Sequence, residues 1–515
     1  MTIKISFVFT VSAIFRRLCN TFNYLFQRLD TTRVIFYNRV RMNTYKPLDR
    51  TLKVLCAALL ILALALTFTV SDYYIFNRFG EFNAAFILCQ WIKKAGLLTL
   101  PLAVFYNNRS CADISKYILP LATVISLFTF GNFFEITAVS PDSSPADKVY
   151  ASINEFIPQT ANAFMYILSA MLYFAVSALL FVRDGFSVRL KSFVYLPLAL
   201  VGCMPLNIFE NFFDINAIPA DSPLRFNNFT VWHALAIAIL AGFTIGAYYF
   251  LRRKDTHSKN LWLAAAAIVM LIQYHSKDSM VMGDGYNVYH TVFACIPLFI
   301  CNIGVYVAAI SVLMRKRVLY AISFFVHAAG ALTVFVYFGK PEMSNYGIFC
   351  SYSILYFCLT HCLLFALSVL PAALGIYKFR PKDAIVPLIY YCIVIITASV
   401  ASALVTSASA DFSYDGYRLA ESELLMPNYA FTQINPLPFG VPPVLTITVW
   451  RYEINILYIL GLYAAYVAIF YVFNGAYYAF LAVRAKVLGR AAKRAPEPAV
   501  VAEAAVTDEV ENSER

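Results

Sequence analysis

Charge is scarce in this chain. Asp, Glu, Lys and Arg make up 13% of its 515 residues, about half the share found in an ordinary soluble domain. On a chain that is 61% hydrophobic with a mean hydropathy of +0.67, so little charge excludes a normally hydrated exterior and asks for one that faces lipid. Short alternating apolar segments are also missing, which argues against a membrane barrel. There is no HExxH, no clustered His and Asp set and no Walker loop, and Gly-Asp-Gly at 283–285 reads as a turn. The sequence therefore calls for no metal, no nucleotide and no cofactor. The eleven cysteines include no CxxC pair, and those inside apolar runs, such as Cys56, Cys203 and Cys392, read as small buried apolar residues. A basic soluble domain is lacking too. The net charge of +11 sits mostly at the edges of apolar runs, so the expected partners are membrane lipids and not nucleic acid.

What fills the chain instead is a series of continuous apolar stretches of about 18–25 residues, the length a helix needs to cross the hydrocarbon core. They predict an all-α, polytopic membrane protein of about twelve transmembrane helices. These fall near 54–71, 84–106, 115–134, 162–182, 190–209, 230–251, 261–276, 291–314, 317–338, 348–377, 385–408 and 448–475. One set of connecting loops is basic: Arg109 and Lys116; Arg183, Arg189 and Lys191; Arg252, Arg253 and Lys254; Arg315, Lys316 and Arg317; Lys378, Arg380 and Lys382; and the tail from Arg484 to Arg494. The alternate loops are acidic or mixed, with Glu135, Asp142 and Asp147, then Asp214 and Asp221, then Asp278 and Asp284, then Asp411, Asp415, Glu421 and Glu423. This alternation puts both termini in the cytoplasm, and the plasma membrane is the expected location.

The chain divides into a basic cytoplasmic segment (1–50), a first six-helix repeat (51–255), a second (256–480) and a disordered cytoplasmic tail (481–515) rich in Ala, Pro and Glu. For the first segment two readings stand: an interfacial amphipathic stretch, or an upstream start with Met42 opening the protein. The two repeats match in order. "FNAAFILC" ending at Cys89 parallels "TVFACIPLFIC" ending at Cys301. "YILSAMLYFAVSALL" parallels "FCLTHCLLFALSVL", setting Ala170 opposite His361, and "FTVWHALAIAIL" parallels "ITVWRYEINILYIL". Six spans per half is an even number, so the halves are expected as tandem repeats in parallel orientation.

Polar groups inside a bilayer cost several kcal/mol unless paired, which makes them the first functional candidates. Cys301 and Asn302 lie about ten residues into one predicted helix and His361 about thirteen into another entering from the same side. At about 1.5 Å per residue this sets a thiol and an imidazole at similar depth. Such a pair is a competent acyl-transfer nucleophile and base, with Asn302 or Thr360 to orient the imidazole or stabilise an oxyanion. The plain alternative is a packed Cys and a His that hydrogen-bonds between helices. Arg451 and Glu453 open the predicted last helix, where a snorkelling Arg and an interhelical pair are expected. Lys93 and Lys94 fall inside the second predicted helix and either face a polar cavity or mark a misplaced boundary. His327, in "FFVHAAG", reads as a contact between helices with small neighbours, and His233 and His290 lie near the outer interface.

With these residues in view the second half resembles the YwaF-like family of bacterial integral membrane proteins. The resemblance rests on "IPLFICNIGVYVAAISVLMRKRVLYAISFFVHAAGAL", "SILYFCLTHCLLFALSVLPA", "YKFRPKD", "NYAFTQINPLPF" and "VWRYEINILYIL". It covers about 250–475 well and 50–250 as a faded copy. It implies six- or seven-helix membrane proteins, a vertebrate relative that transfers polyunsaturated chains onto ether phospholipids with a membrane Cys and His implicated, and distant relatives that hydrolyse fatty-acid esters. Carried over, the family's Cys-Asn falls on Cys301 and Asn302, its helix-borne His on His361, and its outer-loop Asn-Tyr on Asn428 and Tyr429. The His that the family commonly has two residues before the Cys is Phe299 here, which leaves the simpler Cys–His pair.

The expected function is thus a membrane-embedded lipid acyl-chain enzyme, an acyltransferase or lipid esterase. Its catalytic residues would be Cys301, His361 and Asn302, with substrate contacts at Asn428, Tyr429, Arg451 and Glu453. The rivals are a transporter with a substrate path between the repeats and a non-catalytic membrane scaffold. Under any of them the segment 409–447 is expected to cover an outer mouth.

Overall fold

The computed structural model describes residues 41–69, 84–129, 142–154, 159–186, 188–204, 222–281, 292–293, 296–336, 352–434 and 440–494. The expectations for residues 1–40, Glu135, Asp214, Asp221, Asp284, His290 and 495–515 lie outside the described residues. The long apolar runs fold as helices, because in lipid each backbone N–H and C=O needs a partner within its own segment. In the first half these are α1 (Arg41–Thr69), α2 (Ala84–Phe105), α3 (Arg109–Thr129), a short α4 (Pro145–Asn154), α5 (Gln159–Asp184) and α6 (Leu196–Gly202), the last entered by a 3₁₀ turn Leu190–Tyr195. Then come α7 (Val231–Leu251), α8 (Thr256–Val281), α9 (Ile300–Met314), α10 (Arg317–Ile322), a π-turn Ser323–Ala328 continuing into α11 (Ala329–Val336), α12 (Tyr352–Ala373), α13 (Ile385–Ser409) and α14 (Ile456–Arg494).

Eight helices among the described residues are long and apolar enough to cross a membrane: α2, α3, α5, α7, the α10–α11 rod, α12, α13 and α14. The helices at the other expected positions (α1, α6, α8 and α9) are not among those eight. The apolar run of α8 is broken by Gln273, His275 and Ser276, and α9 has 15 residues. Burial separates the spans by role. Only 17% of α7 and of α14 is buried, whereas 72% of α12 is, so α7 and α14 present apolar side chains outward and α12 forms the centre.

The last predicted helix is corrected. Residues 446–455 form a β-hairpin, β3 (Thr446–Val449) antiparallel to β4 (Tyr452–Asn455), and α14 starts only at Ile456. The β-branched run Thr-Ile-Thr-Val fits a strand, and Trp450 takes φ +58° at the turn. Helix α14 then runs to Arg494, beyond the boundary expected at 480. A second correction concerns Lys116. Expected in a loop, it lies on α3, fully buried, 3.3 Å from the Asp113 carboxylate and donating to the Gly185 carbonyl at 3.1 Å. Arg189 and Ser192 also donate to Asp113, at 3.0 and 2.8 Å, so α3 is locked to the 3₁₀ turn before α6.

The second half repeats this joint with the charges exchanged. Arg317, at the start of α10, binds Asp383 in two contacts of 2.9 and 2.5 Å, and Asp383 sits in the 3₁₀ turn Pro381–Ala384 that enters α13. Other features recur in step. Asn107 and Arg315 both take the left-handed conformation, φ 51° and 55°, at the turn after α2 and after α9. A Cβ on Gly96 would meet Leu119 at 2.7 Å, and one on Gly304 would meet His327 at 2.7 Å. Gly304, Arg315 and His327 each follow Gly96, Asn107 and Leu119 by the same 208 positions. Gly185 and Gly375 end α5 and α12 with φ +74° each.

At the opposite end, residues 410–434 and the hairpin 446–455 form a cap over α13. It contains a small hairpin, β1 (Ser413–Tyr414) with β2 (Tyr417–Arg418), and 3₁₀ turns at Glu421–Glu423 and Tyr429–Phe431. Ser402, Ser407 and Ser409 on α13 accept backbone N–H groups of Tyr429, Arg451 and Leu425 at 3.0, 3.3 and 3.0 Å. These hydroxyls supply the partners that an irregular buried segment needs. From the first half α4, started by a mutual Ser144–Asp147 cap, reaches the same layer, where the Tyr150 hydroxyl donates to the Glu423 carbonyl.

Candidate functional site

Cys301 stands at the start of α9, partly buried in the core cluster built by α8, α9 and α12. His361 is buried at mid-length in α12, which packs on α9. Its Nδ1–H donates to the Phe357 carbonyl at 2.8 Å, one turn back on the same helix, and this bond makes Nε2 the basic nitrogen. Phe357 and Phe335 pack on the ring at centroid distances of 4.2 and 6.4 Å. No hydrogen bond joins the Cys301 thiol to His361 among the described residues; the helices that carry them are in contact. Asn302 is half-buried beside Cys301. Thr360, next to His361, buries its hydroxyl without a hydrogen-bond partner among the described residues.

His327 is the residue the sequence undervalued. It lies in the π-turn, fully buried, against Gly304, one turn along α9 from Cys301, and its Nε2 meets the Tyr390 hydroxyl at 3.1 Å. A π-turn inside an apolar span leaves no composition signal, although such turns concentrate at functional positions. His233, by contrast, is engaged at both ring nitrogens. Nδ1 accepts from Phe229 N–H at 2.9 Å and Nε2–H donates to the Phe335 carbonyl at 2.7 Å, which ties α7 to α11.

The expected substrate contacts fall in the cap. Asn428, at φ 46°, accepts the N–H groups of Gln433 and Ile434 at 2.9 Å each and so closes its own loop. Tyr429 is completely buried; its hydroxyl donates to the Val292 carbonyl and its ring meets Phe299 edge-on at 5.6 Å, two residues before Cys301. Arg451 and Glu453 do not begin a helix. Arg451 sits at the turn of the β3–β4 hairpin and pairs with Asp411 at 2.5 Å, both side chains about half exposed, while Glu453 faces outward from β4. Within the cap the Tyr417 hydroxyl and the Ala420 N–H hold the Glu423 carboxylate at 2.7 and 2.8 Å. These bonds keep its pKa below the usual glutamate value and raise that of Tyr417.

A cavity of about 650 Å³ lies between the halves, walled by α1, α2, α5, α8 and α9. Lys93 and Lys94 line it, which selects the cavity reading of those two lysines, together with Gln90, His275, Tyr306 and Arg315. Cys301 is not on its wall.

Residues 225–472 match the model of the TMEM164 family. That is a membrane protein family, and with the apolar helices the match makes this chain an integral, multi-pass membrane protein. The TMEM164 match opens just before α7 and ends within α14, so it takes in Cys301, His327, His361 and the cap but not Lys93 or Lys94. No curated protein and no solved structure matches the chain.

Proposed function

We propose that this protein is a membrane-embedded enzyme acting on lipid acyl chains, with Cys301 as nucleophile, His361 as general base and Asn302 as the orienting or oxyanion-stabilising group. The observation that carries this reading is the imidazole of His361, fixed by its Nδ1–H bond with Nε2 as base, on a helix packed against the one that carries the thiol. In such chemistry the thiol proton passes to Nε2 as Sγ attacks the acyl carbonyl. The leaving alcohol of the lipid takes that proton back, and a second alcohol or water then releases the thioester. The lack of a formed hydrogen bond does not oppose this, since catalytic hydrogen bonds often form only around bound substrate. The orphan hydroxyl of Thr360 suits a polar group of that substrate, and the YwaF-like resemblance assigns the same residues. Asn428 and Tyr429 act by positioning the cap against Phe299, and Arg451 and Glu453 act from the cap's surface.

The recurrence at 208 positions supports reading 51–255 and 256–480 as tandem parallel repeats within a twelve-span plan, and the alternation of basic and acidic loops supports both termini in the cytoplasm of a plasma-membrane protein. In that register Lys93, rather than Cys89, falls opposite Cys301, and the first repeat lacks the nucleophile. The cavity between the halves favours the second reading, a transporter. Labelling of the purified protein with an acyl-directed thiol probe separates the two. Modification at Cys301 that is lost in Cys301→Ala and falls at least tenfold in His361→Ala is expected of the enzyme. Equal labelling in all three, or none in any, would move the transporter reading forward.

A further inference from the structure

We propose that the cavity between the halves binds a single-chain amphiphile whose uncharged head both donates and accepts hydrogen bonds, the chemistry of a monoacylglycerol. The cavity lining follows α2 from Gln90 to Tyr106, about 24 Å of helix at ~1.5 Å per residue. A volume of about 650 Å³ drawn out over that length makes a channel, which suits one extended hydrocarbon chain better than a compact ligand. Ile61, Phe105 and Leu313 line it and are 68%, 46% and 36% exposed. The wall therefore reaches the lipid-facing surface of the bundle, and a chain can enter sideways.

The polar groups on the wall select the head. Ser169 and Ser276 donate to the carbonyls of Tyr166 and Ile272 on their own helices, at 2.7 and 2.6 Å, and His275 and Tyr306 bond each other at 3.2 Å. Lys93 and Lys94 both have interactions within the protein, Lys93 with its Nζ 3.8 Å from the Tyr166 ring centroid. Arg315, at the far end, lies 5.4 Å from the Tyr106 ring centroid. The cations on this wall thus do not call for an incoming anion. Gln90 differs from these groups. It lies about 9 Å from the start of α2, more than nine-tenths buried, and its amide makes no hydrogen bond among the described residues. A buried amide in a membrane span is costly without a partner, and this one offers two N–H donors and a carbonyl acceptor. A head with a hydroxyl beside an ester carbonyl satisfies both kinds, whereas a carboxylate only accepts and a plain hydrocarbon does neither. With its head at Gln90, the chain runs along α2 past Leu97 and Pro101 toward Phe105. Cys301 is not on this wall, and the inference does not rest on the acyl-transfer reading.

The test uses the full chain in neutral detergent with tritiated monoolein, displaced by unlabelled monoolein, octadecene or oleate. Monoolein is expected to displace the label at least tenfold better than either octadecene, which has no polar head, or oleate. Gln90→Leu, which replaces the amide with an apolar side chain, is expected to bring monoolein down to the level of octadecene. Cys301→Ala is expected to keep the wild-type preference. Leu64→Trp narrows the channel without touching Gln90; it is expected to weaken monoolein and octadecene alike and serves if Gln90→Leu does not fold. Octadecene or oleate equal to monoolein or ahead of it, or a preference that survives Gln90→Leu, overturns the proposal. So does unchanged binding in Leu64→Trp, or a preference lost in Cys301→Ala.

Discussion

Two glycines show how unequally one substitution falls on similar joints. A methyl group on Gly96 meets the tip of Leu119, which can rotate away, and the gain in helix propensity offsets the rest. On Gly304 it meets the His327 imidazole, which is held by Tyr390 and by the π-turn. Gly304→Ala is therefore expected to destabilise by about 1–3 kcal/mol, a typical cost of overpacking, while Gly96→Ala stays near neutral. Thermal melts of the two variants in detergent check the difference. Ser402→Ala leaves the buried Tyr429 N–H without its acceptor, at a cost of about 1–3 kcal/mol, and is expected to loosen the cap before the bundle, visible as faster hydrogen exchange at Tyr429. Glu423 adds a dependence on pH. Its folded pKa lies below the unfolded value, so its contribution is full above the ordinary glutamate range and is lost as pH falls through the lowered value. Proteolysis of the cap is expected to rise over that acid window in wild type. In Tyr417→Phe, which removes the first cause of the shift, the rise is expected to be smaller and to level off at higher pH.

Among elements, the helices were legible because a membrane span needs a long apolar run, and eight of the expected positions carry described helices long and apolar enough to span. The elements that escaped were those whose signal is short or shared. The hairpin 446–455 reads as the start of a helix because Val449, Trp450, Tyr452 and Ile454 are apolar or aromatic in either case. The alternating β-branched residues after Pro442 and Pro443 were the better guide. Lys116 was counted as a loop charge although Asp113, three residues earlier, was already its helical partner. His327 was not legible as more than a helix contact, because a π-turn leaves no pattern in composition. The serines along the end of α13 could have been found as a row of hydroxyls before an irregular segment. Asp113→Asn leaves Lys116 buried with its main partner gone, so it is expected to cost about 3–5 kcal/mol. Asp113→Leu with Lys116→Met is expected to recover most of that, as read by melting temperature.

For the whole molecule, the turns at 106–108, 252–255, 315–317 and 375–384 gather at one end and the cap with α4 at the other. Single cysteines introduced at Arg253 and at Tyr414, both exposed, are expected to react with an impermeant reagent from opposite faces of sealed vesicles; reaction from one face would reject the proposed topology. The exchanged charges of the two joints bear on how such a chain assembles. In one half the acid is on the long helix (Asp113) and the base on the neighbouring turn (Arg189); in the other the base is on the helix (Arg317) and the acid on the turn (Asp383). If a newly inserted helix docked on the turn of the wrong half, Asp113 would face Asp383, or Arg317 would face Arg189. The opposite polarity of the two joints thus works as an error check: each helix is repelled by the other joint's turn and accepted by its own.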